Sequence, residues 1–242
     1  MTAWPPRWVT PVVPNGDLTR AEQVIAFINT YGMVTKDTVA GRSGSRLELR
    51  PWQENLIRDL FRTDGNGRLA TRTALVGMPR KNGKSALGSN LALWSLFLGD
   101  DGGEVYSCAA EKEQARIVFA DAKRIVEANP DLSELTRVYR DAIEVVGTGS
   151  TYRVLSAEAY SKEGLSPTFV VFDELHAAPN RELFDVMALG MGARREPMLL
   201  SITTAGVKTD NTGQDSVAYS LYQYGQKVAR GETIDPSFMD AV

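Results

Sequence analysis

The stretch Val76-Gly77-Met78-Pro79-Arg80-Lys81-Asn82-Gly83-Lys84-Ser85 constrains this chain more than any other, because its Gly-Lys-Ser ending joins a strand to a helix through a turn suited to phosphate. In such a turn the backbone N–H groups and the helix N-terminus point at the anion. Lys84 adds a point charge and Ser85 a hydroxyl for a divalent ion. The usual spacing calls for glycine at position 78, where this chain has Met78; the nearest glycine is Gly77. The flanks supply the required context. Residues 73–76 read as a buried strand and residues 86–98 as an apolar helix, while Pro79 delays the helix start to residues 82–85. The competing reading is a chance Gly-Lys-Ser in a basic surface loop.

The run Phe169-Val170-Val171-Phe172-Asp173-Glu174 carries the second half of the same chemistry. An apolar run ending in two acids has the composition of a central parallel strand that delivers carboxylates to a sheet edge. There Asp173 suits Mg²⁺ and Glu174 suits the deprotonation of an attacking water. The bland alternative is an acidic helix cap after a core strand. A third apolar run, Met198-Leu199-Leu200-Ser201-Ile202-Thr203-Thr204, ends in hydroxyls before Ala205-Gly206. At the tip of a strand beside the phosphate loop, Ser201, Thr203 or Thr204 could sense a γ-phosphate or its water; ordinary strand-end chemistry competes.

These runs sit in a chain of 242 residues, long enough for one large α/β domain with a substantial core. Hydrophobic content of 43% and charged content of 24% are those of an ordinary soluble globular protein. The longest apolar run, residues 92–98, is far too short to cross a bilayer, and no signal-peptide pattern opens the chain, so a cytosolic protein without a membrane partner is expected. Cys108 is the only cysteine and reads as a small buried residue; a single histidine, His176, excludes histidine-rich metal clusters. The net charge of −3 lacks the basic balance of an autonomous nucleic-acid binder. Local basic pairs at Arg68/Arg72, Arg80/Lys81 and Arg194/Arg195 leave room for only a small contact patch.

Along the chain, a proline-rich start (Pro5, Pro6, Pro11, Pro14) precedes a helix over residues 18–31, with Thr19 as its cap and Glu22 and Gln23 near the reciprocal position. Leu49-Arg50-Pro51-Trp52-Gln53 opens a second helix running to residue 61. Residues 104–109 read as a strand, 111–129 as an amphipathic helix, and 142–146 with 152–155 as a hairpin about a Gly-rich turn.

Together these residues resemble the large terminase subunit of tailed bacteriophages, the motor that packages double-stranded DNA into a procapsid. The resemblance rests on Pro79 to Ser85, Phe169 to Glu174, Ser201 to Gly206 and Pro51-Trp52-Gln53, and covers about residues 20–240. The basic, glycine-poor loop, a departure from the general pattern, matches this family's variant. The resemblance implies an α/β P-loop NTPase of the additional-strand (RecA-like) type, with a mainly parallel central sheet flanked by helices. It implies residues 1–50 as an N-terminal lid, 51–234 as the ATPase core and 235–242 as the start of a linker. ATP and Mg²⁺ are the implied cofactors. Lys84 and Ser85 would be the phosphate-loop pair, with Lys81, Asn82 and Gly83 in the same cradle, and Arg80 would stabilise the γ-phosphate. Gln53 would read adenine; Thr203 and Thr204 would couple hydrolysis to motion.

Implied partners are double-stranded DNA, the portal protein, the small terminase subunit and further copies of the chain in a ring, at the procapsid portal in the host cytoplasm. In isolation the chain could be a monomer. Where relatives carry an arginine thought to reach a neighbouring subunit's nucleotide, this chain offers Lys162, a point charge without the guanidinium fork; Arg153 or Arg194 are substitutes. Relatives continue into a nuclease domain, yet after Thr204 only Asp210, Asp215, Glu232, Asp235 and Asp240 remain, too few for a two-metal site, so ATPase without DNA cleavage is expected. Two rivals stand beside this reading. Asp173-Glu174-Leu175-His176 spells the DExH box of a superfamily 2 helicase half, and a non-catalytic ATP-dependent switch would also use the phosphate loop.

Overall fold

A computed structural model describes residues 10, 17–38, 41–156, 164–204, 206–210 and 213–241. In chain order the helices are α1 (Thr19–Tyr31), α2 (Pro51–Leu60), α3 (Lys84–Leu98), α4 (Lys112–Ala128), α5 (Pro130–Glu134), α6 (Glu182–Gly190) and α7 (Val217–Ala229). The strands are β1 (Thr73–Gly77), β2 (Glu104–Ala109), β3 (Thr136–Val138), β4 (Ala142–Val145), β5 (Ser150–Ser156), β6 (Phe169–Asp173), β7 (Met198–Thr203) and β8 (Phe238–Ala241). All strands join one 8-stranded sheet in the order β3-β4-β5-β2-β6-β7-β1-β8. The run from β5 through β8 is parallel, and β3-β4-β5 closes one side as an antiparallel meander.

The apolar runs became central strands because both faces of the sheet are covered. On β6 every residue is buried: Phe169 and Val171 join the cluster beneath α1 to α4, and Val170 and Phe172 join the one beneath α6 and α7. Each such side chain contributes about 1.5–3 kcal/mol of burial relative to exposure. Helix α3 is buried on nearly all sides, with Leu87, Leu91, Leu93, Trp94 and Leu96 in the core, because it lies between the sheet and the outer helices α1 and α4. Phe61, just past α2, packs edge-on to Trp94 and stacks near Phe169, which ties α2 to the same layer.

Three local expectations differ from what forms. Thr19 does not cap α1; Asp17 does the work, its Oδ1 accepting from the Thr19 N–H at 2.9 Å and from the Thr19 hydroxyl at 2.8 Å. A carboxylate two residues upstream reaches the free N–H group, with Leu18 between them already in helical backbone. The N-terminal segment expected as a lid contributes Ala21, Val24, Ile25, Phe27 and Ile28 to the main core, so α1 is a layer of the domain packed on α2 and α3. Within residues 235–242, expected as a linker, Phe238–Ala241 pairs with β1 in register from Thr73↔Phe238 to Val76↔Ala241. Without that strand the outer edge of β1 would expose unpaired backbone groups. The prolines at 5, 6, 11 and 14 lie outside the described residues.

Candidate active site

The carboxyl ends of β1, β6 and β7 lie side by side, and the site is built there. β1 ends at Gly77, and residues 78–83 turn before α3 starts at Lys84. Met78 N–H donates to the Thr203 carbonyl at 3.0 Å, which anchors the loop to the end of β7. Lys81 (φ 67°) and Gly83 (φ 79°) both take left-handed backbone, so the loop curls over the helix start. Glycine adopts this freely; lysine does so at a cost. Arg80 and Lys81 are exposed, Asn82 and Ser85 are half-buried, and Lys84 is buried. Asn82 Nδ2 donates to the Pro79 carbonyl at 3.3 Å and braces the turn.

The two sequence motifs meet. Lys84 Nζ donates to Glu174 Oε1 at 2.6 Å across a separation of 90 residues. Glu174 is itself in left-handed backbone (φ 51°, ψ 48°) and its N–H donates to Ile202 O at 2.8 Å, so the chain breaks out of β6 at this residue and turns its carboxylate back over the edge. Lys81 and Glu174 are the two non-glycine residues with positive φ among the described residues, and both flank the site, where strain of this kind collects. The other Glu174 oxygen, Oε2, accepts from Thr204 Oγ1 at 3.3 Å and lies 3.1 Å from His176 Nδ1. Burial works to raise the Glu174 pKa. The hydrogen bond and charge of Lys84, aided by His176 and Thr204, outweigh it and hold the carboxyl below its ordinary value.

Asp173 behaves in the opposite way. It is 2% exposed, and both carboxylate oxygens are buried without a hydrogen-bond partner; Gln114 on α4 is close enough to ease its ionisation slightly but outside hydrogen-bond geometry. Burial, then the neighbouring charge of Glu174, push its pKa up to about 6, against the pull of Lys84. A buried carboxylate with both oxygens idle is a group matched to a cation. No set of three or more His, Cys, Asp or Glu side chains that could cage a metal occurs among the described residues. An ion here would therefore take most of its ligands from water and phosphate, as magnesium does.

The remaining assigned residues separate by position. Thr203 and Thr204 stand at the β7 tip between the two motifs, whereas Ser201 is fully buried within the strand, opposite Leu75 of β1, with its hydroxyl unpartnered. Ser201 is therefore not at the edge with the other two. Gln53 lies against the loop: a Cβ on Gly83 would sit 3.7 Å from Gln53 Nε2, while Gln53 Oε1 accepts the Arg50 N–H at 2.9 Å and caps α2. Arg194 is committed at the other end of the sheet, donating to Ser166 O at 2.7 Å and Gly102 O at 3.1 Å. Arg153 is exposed on β5, and Lys162 lies outside the described residues. Cys108 is fully buried, and burial pushes its thiol up, which leaves it inert.

Reading the sequence missed two features of this region. His176, read in the sequence as the lone histidine and as a helicase letter, has its backbone N–H and Nδ1 both against Thr203 Oγ1, at 3.2 and 2.9 Å. A cavity of about 750 Å³ opens beside the loop, lined by Met78, Arg80, Thr204, Lys208, Tyr219 and Tyr222 among others. Its aromatic wall is α7, whose Tyr219 and Tyr222 one turn apart were the available signal. No helix among the described residues is long and apolar enough to cross a membrane.

Residues 51–225 match the family described as terminase large subunit, ATPase domain. The large terminase subunit of Enterobacteria phage HK97 is 30% identical over 193 residues, covering 77% of this chain and 37% of that protein. The crystal structure of the HK97 bacteriophage large terminase superposes with a TM-score of 0.74 at 26% identity, over 92% of this chain and 43% of that one. A mutant ATPase domain of the Thermus phage P74-26 large terminase shares the fold, with a TM-score of 0.51 at 20% identity, covering 64% of this chain and 65% of that one. The chain thus spans less than half the length of the HK97 relatives it matches. These matches do not favour the helicase-half or switch-module readings. With most of its length matched and the same sheet beneath the matched residues, this chain belongs to the ATPase-domain family of terminase large subunits.

Proposed function

We propose that this chain hydrolyses ATP with Glu174 as general base and that, as part of a whole terminase, it converts hydrolysis into movement of double-stranded DNA. The observation that carries the reading is the 2.6 Å contact between Lys84 Nζ and Glu174 Oε1, which joins the phosphate loop and the acidic strand tip in one site.

Lys84 and Glu174 neutralise each other across the site. A triphosphate on the loop offers Lys84 a denser negative charge, so Lys84 turns to the phosphate oxygens and Oε1 is released. The freed carboxylate accepts a proton from water as that water attacks the γ-phosphorus in line. The bond from the γ-phosphorus to the bridging oxygen breaks, and ADP leaves with that electron pair. Backbone N–H groups of residues 80–85 and the α3 N-terminus hold the phosphates, with Arg80 positioned at the exposed rim. Asp173 and Ser85 would hold Mg²⁺, which when bound neutralises charge on the phosphate oxygens; the idle oxygens of Asp173 fit that role. Gln53, beside Gly83, would contact the base, and Thr203 and Thr204 would report the γ-phosphate to β7.

The partners in this reading are double-stranded DNA, the portal protein, the small terminase subunit and neighbouring copies in a ring at the procapsid in the host cytoplasm, with Lys162 offered to a neighbour's site. Support for them is membership of the family. Glu174→Gln tests the chemistry: ATP binding should persist while hydrolysis falls by about 10²–10⁴-fold. Hydrolysis at the wild-type rate would refute the base assignment.

A further inference from the structure

His176 sits where three parts of the site converge. Its Nδ1 lies 3.1 Å from Glu174 Oε2 and 2.9 Å from Thr203 Oγ1, and its backbone N–H donates to the same Thr203 oxygen at 3.2 Å. Thr203 donates its own hydroxyl hydrogen to the Thr204 carbonyl at 3.1 Å, so its oxygen is left to accept. An ionised carboxylate oxygen also only accepts. A bare Nδ1 would then face two acceptors with its lone pair; the arrangement holds together only if Nδ1 carries the proton and shares it between Glu174 and Thr203. Gly206 leaves the room this ring occupies: an added Cβ there would overlap the Cβ and ring carbons of His176. The ring is four-fifths buried, so water does not compete strongly for this contact.

We propose that His176 is the positioning residue for the catalytic carboxylate, clamping Oε2 of Glu174 to the tip of β7 so that Oε1 alone is presented to Lys84 and then to water. The inference rests on Glu174 being the base. Its physical content is orientational. Left-handed backbone at Glu174 leaves the side chain projecting from a turn, and Lys84 stops holding it once phosphate arrives. From that moment His176 and Thr204 are the groups that keep the carboxylate aimed. The same nitrogen grips Thr203, so a shift of Glu174 is transmitted to β7 and to Gly206, which lines the cavity beside the loop.

Steady-state Mg-ATP hydrolysis and binding of a fluorescent ADP by the 242-residue chain test this. H176A should lower kcat about tenfold, equivalent to about 1.4 kcal/mol, and leave KM and ADP affinity unchanged. H176N should recover most of the loss, because its amide N–H falls where Nδ1–H was, whereas H176Q extends its amide past that point and should not. A wild-type kcat in H176A overturns the proposal. So does a loss of kcat matched by equal losses of affinity and stability that H176N fails to restore. If H176A does not fold, the H176N and H176Q pair decides: equal rates refute the clamp. E174Q run alongside separates the two readings. An active E174Q removes the base itself, whereas an inactive E174Q with wild-type rates in the His176 variants removes only the clamp.

Discussion

Asp173 on β6 and Asp240 on β8 are acids on parallel strands of one sheet, each nearly inaccessible and each with an idle buried oxygen, yet only one of them is at a site. Asp173 ends its strand, next to Glu174 and within the field of Lys84, below the phosphate loop. Asp240 lies within its strand, under α7, where Gly225 leaves room for its carboxyl; any Cβ there would overlap it. Burial alone pushes Asp240 up to about 7, while at Asp173 burial and a neighbouring carboxylate are opposed by a lysine, and the result is about 6. A raised carboxyl is thus common to a site and to a piece of core. What separates them is a cation beside the acid and an open strand end above it.

The largest test of that contrast is Asp173→Asn against Asp240→Asn. The first should cut hydrolysis by on the order of 10²-fold, as removal of a charge aimed at the reacting phosphates does; the second should leave turnover at the wild-type level. Equal losses would erase the distinction. Next, Lys84→Ala should place the active-site acids in the situation of Asp240, without a cation. Nucleotide affinity and turnover should both fall by about tenfold or more, read by titration with a fluorescent ADP and by phosphate release.

A smaller effect, on stability, comes from titrating Asp240. The folded chain keeps this proton up to about pH 7, whereas an unfolded chain releases it near 3.8, so the wild type loses stability as pH rises through that window. Asp240→Asn should therefore melt higher than wild type at pH 8, by on the order of a few kcal/mol in stability, with the advantage shrinking to nothing near pH 4. A pH-independent difference would mean the carboxyl is ionised in the fold. The least effect is Gly225→Ala, which should cost about 1–3 kcal/mol by overpacking against Asp240, measured by chemical denaturation, with hydrolysis per folded molecule preserved.

Much of this molecule could be read without coordinates, and the reason is local. The runs ending at Val76, Ala109, Phe172 and Thr203 are mostly apolar, and that composition has few uses besides a covered parallel strand. The phosphate loop announced itself because its chemistry needs contiguous residues. Other elements were illegible for equally physical reasons. Strand β8 is short, carries an acid and follows the loop at Asp235 and Pro236, so nothing in it outweighs the appearance of a linker until β1 provides a partner. Helix α7 begins on the Ser216 hydroxyl, which accepts from the Tyr219 N–H, a cap that reads equally well as loop.

The amino-acid order by itself determined the strand-loop-helix unit around Lys84, the acidic strand tip at Asp173 and Glu174, the hydroxyl-ended strand before Gly206 and the class of chemistry they share. Only the tertiary structure decided that β7 lies between β6 and β1, that Lys84 reaches Glu174, and that His176 sits between Glu174 and Thr203 in space that Gly206 leaves open. Parallel strands of like composition have no local rule for choosing neighbours. Their order is settled by how the crossover helices pack on the two faces, and that choice aligns carboxylate, ammonium and imidazole from distant parts of the chain.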